Sequence, residues 1–208
     1  MNRRDTDPRL ILFAPSLDAG TDALFAEACA KFDIASAILR TGTLDERAIL
    51  ARTEAFWNVT SKTGAALLLE ERADLVAKTK ADGAHLANFP EQPAAIKSLK
   101  PRYIAGAAGL ASRHDAMIAG EAGADYVMFG ETPNGKRPSL DAITERVAWW
   151  AEIFEIPCVA FVAALDEIPA LVQAGADFIA LDEAIWESGD PMEALAQATA
   201  RLAFERAE

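Results

Sequence analysis

Carboxylates gather where apolar runs stop. Glu70-Glu71 follow Ala-Ala-Leu-Leu-Leu at 65–69, Glu131 follows Tyr126 to Phe129 and a glycine, and Asp182-Glu183 follow Phe178 to Leu181. Paired carboxylates suit general acid/base chemistry or the holding of a cation. Glu70 and Glu71, adjacent on one turn, are the candidate ligands for a hard cation such as Mg²⁺. The plain alternative is that one caps the following helix and the other pairs with Arg72. Cations stand at the same kind of position: Arg40, Arg72, Lys136 and Arg137, with Asn88 nearby in type. His85 lies inside an apolar run and reads as a core or lining residue rather than a base, and His114 reads as surface. There is no Gly-x-Ser-x-Gly, His-Glu-x-x-His or Cys-x-x-Cys, so triad and zinc chemistries have no support, and no organic cofactor is expected.

These residues must be positioned by the apolar runs that precede them. Candidate strands are 10–14, 34–39, 65–69, 83–87, 102–106, 125–129, 157–162 and 177–181, near-continuously apolar as in parallel strands covered on both faces. Amphipathic segments near 21–32, 45–60, 72–80, 91–99, 111–122, 139–154, 166–174 and 191–206 read as helices. Ser112, Ser139 and Asp190 stand as N-caps. Two junctions repeat, Ala122-Gly123-Ala124-Asp125 and Ala174-Gly175-Ala176-Asp177, with a blurred third copy from Ala81 to Asn88. The glycines suit the left-handed residue that ends a helix. Eight βα units over residues 1–208, without a linker, predict a single (β/α)₈ TIM-barrel domain. A doubly wound sheet is disfavoured because Ala14-Pro15-Ser16-Leu17-Asp18, not a glycine-rich turn, follows the first strand. In a barrel, these carboxylates and cations ring the mouth, where a small-molecule ligand is expected.

Composition narrows the partners. The formal charge of -12 argues against nucleic acid and against an anionic membrane surface. The opening apolar run, Leu10 to Ala14, is too short for a signal peptide or a membrane span, so a cytoplasmic protein is expected. Cys29 and Cys158 read as buried, reduced thiols. Trp149-Trp150 and Trp186 either pack against the outer layer of the barrel or form a contact in a homo-oligomer.

The whole chain resembles thiamine phosphate synthase and its thiazole tautomerase-like relative. The resemblance rests on Leu39-Arg40, on Glu70-Glu71-Arg72-Ala73-Asp74-Leu75 and on Asp82-Gly83-Ala84-His85-Leu86. It also rests on Glu121 to Val127, on Lys136, and on Ala174-Gly175-Ala176-Asp177. It implies coupling of hydroxymethylpyrimidine diphosphate with thiazole phosphate, with Mg²⁺ assisting the departure of pyrophosphate. On that footing Arg40 and Lys136 are the catalytic candidates. Arg40, Asn88, Glu131, Lys136, Asp182 and Glu183 are the substrate-binding candidates, and Glu70 and Glu71 the metal ligands.

The chain departs from the family's pattern around the rim. Gln-Leu-Arg-x-Lys is here Ile38-Leu39-Arg40-Thr41-Gly42, and Asn-Asp-Arg is Glu70-Glu71-Arg72. Ala87-Asn88-Phe89-Pro90 replaces Gly-Gln and a following metal-binding Asp, and Ala107-Ala108 replaces a Ser/Thr pair. Where the family cradles the thiazole phosphate with Gly-Gly and Val-Ser, this chain has Val162-Ala163 and Asp182-Glu183. The expectation is a diverged member with an altered activity on a ligand lacking the terminal phosphate. The alternative is a non-catalytic ligand-binding or regulatory paralogue.

Overall fold

The computed structural model describes residues 7–14, 19–88, 91–132 and 136–203, with residues 19–21 and 183 as backbone only. Expectations placed on Pro15-Ser16 and on Pro133 to Gly135 lie outside the described residues. The strands are β1 (Arg9–Phe13), β2 (Ile34–Leu39), β3 (Ala66–Glu70), β4 (Gly83–Leu86), β5 (Ile104–Ala107), β6 (Tyr126–Phe129), β7 (Cys158–Phe161) and β8 (Phe178–Leu181). All pair in parallel, in chain order, and β8 closes on β1. The helices are α1 (Ala19–Lys31), α2 (Glu46–Thr63), α3 (Ala73–Val76), α4 (Gln92–Leu99), α5 (Arg113–Ala122), α6 (Leu140–Ile153), α7 (Ile168–Gln173), α8 (Glu183–Trp186) and α9 (Pro191–Leu202). The expected (β/α)₈ barrel is the fold observed. Among the described residues no helix is long and apolar enough to cross a membrane.

Successive side chains of a strand point to opposite faces, and this period separates two cores. Ile11, Phe13, Ile38, Leu68, Tyr126, Met128, Val159 and Ala180 fill the barrel interior. Their alternates, such as Leu10, Leu12, Leu39, Leu67, Leu69, Val127 and Ile179, pack outward beneath the helices. Strands apolar on both faces are what the near-continuous runs encode.

The repeated aspartate has a structural explanation at the strand starts. Asp177, just before β8, donates its N–H to Cys158 O (2.9 Å) and accepts the Cys158 N–H on its carboxylate (2.8 Å). Asp125 makes the same two-way bond with Ala105 of β5 (2.8 and 2.7 Å), and Asp82 with Leu67 of β3 (2.8 and 2.8 Å). Before β2 stands Asp33, whose carboxylate takes both the Nε and a terminal nitrogen of Arg9 in β1 (2.9 and 2.6 Å). Each even-numbered strand is therefore tied by an aspartate to the odd-numbered strand before it. Gly123 and Gly175 end their helices at φ 99° and 101°, the left-handed region where a Cβ is strained.

Ser112 forms a reciprocal capping box with Asp115, and Ser139 and Asp190 accept N–H groups of their helices' first turns. Three expectations need correction. The helix expected over 72–80 stops at Val76, because Lys78 and Thr79 N–H groups turn back to Leu75 and Val76 carbonyls and the Thr79 hydroxyl takes Val76 O (3.1 Å). β5 starts at Ile104 rather than 102, because Arg102 and Tyr103 N–H groups both return to Leu99 O at the end of α4. The short helix α8 after β8 was not expected.

Candidate active site

Counting by twos along the strands brings the charged rim residues to the inside. Ile38 faces inward, so Arg40 does as well; Leu68 brings in Glu70, and Ala180 brings in Asp182. The three meet across the mouth. Arg40 donates one guanidinium nitrogen to Glu70 Oε1 (2.8 Å) and the other to Asp182 Oδ2. Its carbon lies 4.6 Å from the centroid of the Phe13 ring, a cation–π contact that fixes the plane of the fork. Glu70 and Asp182 keep only 17% and 9% of their side chains exposed, while Arg40, at 37%, still meets solvent, which screens the pairs in part. Burial works against the Arg40 charge, but the carboxylates of Asp182, Glu70 and Glu131 outweigh it and hold the guanidinium above its ordinary range. Burial raises the Glu70 carboxyl above the usual range, and the neighbouring Arg40 charge only partly offsets that.

Onward around the barrel, Glu70, His85, Gly106 and Tyr126 lie side by side on β3 to β6. His85 and Tyr126 are separated by β5, and they meet because the residue between them is glycine. A Cβ on Gly106 would stand 2.0 Å from the Tyr126 ring. Through that gap Tyr126 Oη reaches His85 Nδ1 (2.7 Å), while His85 Nε2 lies 2.8 Å from Glu131 Oε2. His85, Tyr126 and Glu131 are all buried. Desolvation, with the charges of Glu131 and Asp125 behind it, pushes the Tyr126 hydroxyl far above its ordinary value, so it stays a donor. The rings of Phe13 and Phe161 meet edge to face (5.7 Å), and His85 abuts Phe13 (5.4 Å).

The other rim candidates stand apart from this cluster. Glu71 takes a left-handed backbone (φ 59°) and its carboxylate accepts the Ala87 N–H. Arg72 is spent on Asp74 (2.9 and 2.8 Å), so Glu70 and Glu71 neither cap α3 nor pair with Arg72. Asn88 and Lys136 are exposed, and the side chain of Glu183 lies outside the described residues. Arg137 is clasped by both oxygens of Glu167 (3.0 and 2.6 Å), which also accepts the Ala163 N–H (2.9 Å). For Mg²⁺ the donor set does not fit a resident ion. Glu70 and Glu71 already serve different partners, and no three His, Cys, Asp or Glu side chains group as a metal site among the described residues. Tyr126, Gly106, Phe13 and Glu167 were missed by sequence reasoning. The one available signal was Tyr126, the polar member of an otherwise apolar strand.

Residues 11–185 match the family model described as thiamine monophosphate synthase. The chain belongs to the thiamine monophosphate synthase family. A thiamine-phosphate synthase of Rhodospirillum centenum is 38% identical over 179 residues, covering 84% of this chain and 82% of that protein. One of Hyphomonas neptunium is 35% identical over 167 residues, 76% of this chain and 75% of the relative. In fold the chain is similar to the thiamine phosphate pyrophosphorylase from Pyrococcus furiosus (TM-score 0.78, 22% identity), with 97% of this chain and 98% of that one covered. Set on the thiamine monophosphate synthase barrel, the Arg40 cluster lies at the strand ends where such folds build their sites.

Proposed function

We propose that this chain is a transferase of the thiamine phosphate synthase type whose barrel mouth takes a small heterocycle lacking the terminal phosphate. On this reading its activity is altered from the coupling of hydroxymethylpyrimidine diphosphate with thiazole phosphate. Relatives named thiamine-phosphate synthase, matched over most of their length, support the reaction class. One observation carries the alteration: Asp182 at the end of β8 occupies Arg40, the guanidinium best placed to receive an anion. A phosphate arriving there meets a buried carboxylate, and two like unit charges about 4 Å apart repel by roughly 4 kcal/mol at an effective dielectric near 20. Lys136 supplies a second cation at the rim. Mg²⁺ enters this reading only in company with a diphosphate, which would bring most of its ligands.

The test sets phosphorylated against unphosphorylated ligands. Thermal unfolding is followed with thiazole phosphate, with pyrophosphate and Mg²⁺, and with the unphosphorylated thiazole and pyrimidine alcohols. Binding of an unphosphorylated ligand raises the melting temperature by mass action, and millimolar thiazole phosphate leaves it unchanged. Efficient formation of thiamine phosphate from the two phosphorylated substrates would overturn the altered-ligand reading. Binding of an alcohol without turnover of any pair would replace the enzyme by a ligand-binding paralogue.

A further inference from the structure

The chain Tyr126–His85–Glu131 has a direction that its chemistry dictates. An ionised carboxylate only accepts hydrogen bonds, so the proton between His85 and Glu131 sits on His85 Nε2. In the neutral imidazole, which carries one N–H, this leaves His85 Nδ1 as an acceptor. Tyr126, kept protonated by its burial, therefore donates its hydroxyl to Nδ1. One Glu131 oxygen is consumed in this way. The other, Oε1, has no hydrogen-bond partner among the described residues, and the carboxylate lies within electrostatic reach of Arg40 and Glu70 at the mouth.

The surroundings select what that oxygen can receive. Glu70, Asp182 and Glu131 bring three carboxylates to one guanidinium, and Arg40 hydrogen-bonds only the first two among the described residues. Glu131 thus belongs to a site with more negative than positive charge, and its partner His85 abuts the ring of Phe13, which meets Phe161 edge to face. That combination suits a flat ring with a positive charge or an N–H edge, and disfavours an anion.

We propose that Glu131 is the acceptor for an N–H group or cationic nitrogen of a planar heterocycle in the barrel mouth. His85 and Tyr126 act as positioning residues that aim its carboxylate through Tyr126 Oη–H to His85 Nδ1 and His85 Nε2–H to Glu131 Oε2. The inference rests on the barrel mouth being the ligand site, as proposed above. It adds the ligand's donor character and three residues that hold it.

The protein has two histidines, and His114 is exposed on α5, so imidazole nitrogen NMR on the intact chain, with His114→Gln for assignment, reads His85 directly. The expected spectrum is a single Nε2–H tautomer of His85, kept in Tyr126→Phe because Glu131 still accepts that proton, while the Nδ1 resonance shifts as it loses its donor. An Nδ1–H tautomer in the unmodified protein would overturn the directed chain. Binding is then measured calorimetrically with two probes, the unphosphorylated hydroxymethylpyrimidine, which bears an amino group, and thiamine, which is a cation. Loss of the charged acceptor in Glu131→Gln weakens at least one probe about tenfold or more, while Glu131→Asp retains part of the affinity. Equal affinity in Glu131→Gln refutes the role of Glu131 and leaves the proposed ligand site standing. Failure of both probes to bind the unmodified protein refutes the inference for these donors; if the unphosphorylated thiazole also fails, the reading of the site falls with it.

Discussion

Asp182, from the end of β8, reaches across the barrel mouth to hydrogen-bond Arg40, the residue following β2. The pair joins positions 142 residues apart in sequence. Its effect is to satisfy with the protein's own carboxylate a guanidinium that would otherwise be open to an anion from solution.

Asp182→Asn keeps the shape of that contact and removes its charge. The substitution is expected to improve affinity for inorganic pyrophosphate or thiazole phosphate by about tenfold, the scale of one charge-assisted hydrogen bond. Adding Arg40→Ala should cancel the gain. Isothermal calorimetry on the single and double variants decides it; an unchanged affinity in Asp182→Asn would mean that Arg40 is not the anion receptor.

Gly106 is the gap through which two strands talk across a third. Gly106→Ala puts a methyl 2.0 Å from the Tyr126 ring and must push it from His85. The expected outcome is a loss of about 1–3 kcal/mol of stability, typical of overpacking, together with the shifted His85 Nδ1 resonance of Tyr126→Phe. A crystal structure of the variant with Tyr126 Oη still on Nδ1 would contradict this.

Asp177 satisfies an N–H at the buried start of β7. Asp177→Ala leaves that donor without its carboxylate and is expected to cost about 1–3 kcal/mol in urea unfolding, whereas Asp177→Asn, which can still accept, costs less. Equal costs for the two would point to charge rather than hydrogen bonding as the source.

Burial pushes the Cys29 thiol from its ordinary 9.0 up to about 12. Because the unfolded thiol ionises first, the unfolded state binds fewer protons between these values. The stability from the neutral buried thiol is thus whole below pH 9 and is lost as pH rises toward about 12. Cys29→Ala should flatten the alkaline arm of the stability curve, and the native thiol should resist Ellman's reagent at pH 8 until the protein unfolds.

Trp150 is fully buried, donates its indole N–H to Ile156 O (2.7 Å) and stacks on Phe154 at 4.0 Å. It belongs to the outer layer of the barrel and has no surface to offer another copy of the chain. Trp150→Ala is expected to destabilise by about 3–5 kcal/mol, measured by calorimetric or chemical unfolding, through the cavity it opens.

The barrel could be read from the sequence because parallel strands buried on both faces leave apolar runs that nothing else in the chain imitates. The repeated Ala-Gly-Ala-Asp was equally visible, since a helix stop and a strand start need the same residues each time. What the aspartate does was not visible: its partner is a backbone group one strand back, and backbone groups have no sequence signature. The site was legible only as a ring of strand ends. Arg40, Glu70, Asp182 and Glu131 all stood there, yet charge alone did not say which would pair, because that depends on inward parity and on distance across the mouth. His85 read as a lining residue, and its link to Tyr126 hung on a glycine in a strand between them, a condition no local pattern reveals.

The four aspartates before the even-numbered strands tie the strands in couples: first with second, third with fourth, fifth with sixth, seventh with eighth. The molecule is thus divisible in one phase and not in the other. New termini opened in α2, α4 or α6 would leave every couple whole, while termini opened in α1, α3, α5 or α7 would separate an aspartate from its mate along the chain. Those ties lie at the strand starts, opposite the mouth, so changes among Arg40, Glu131 and Asp182 can redirect ligand choice without touching what holds the barrel shut.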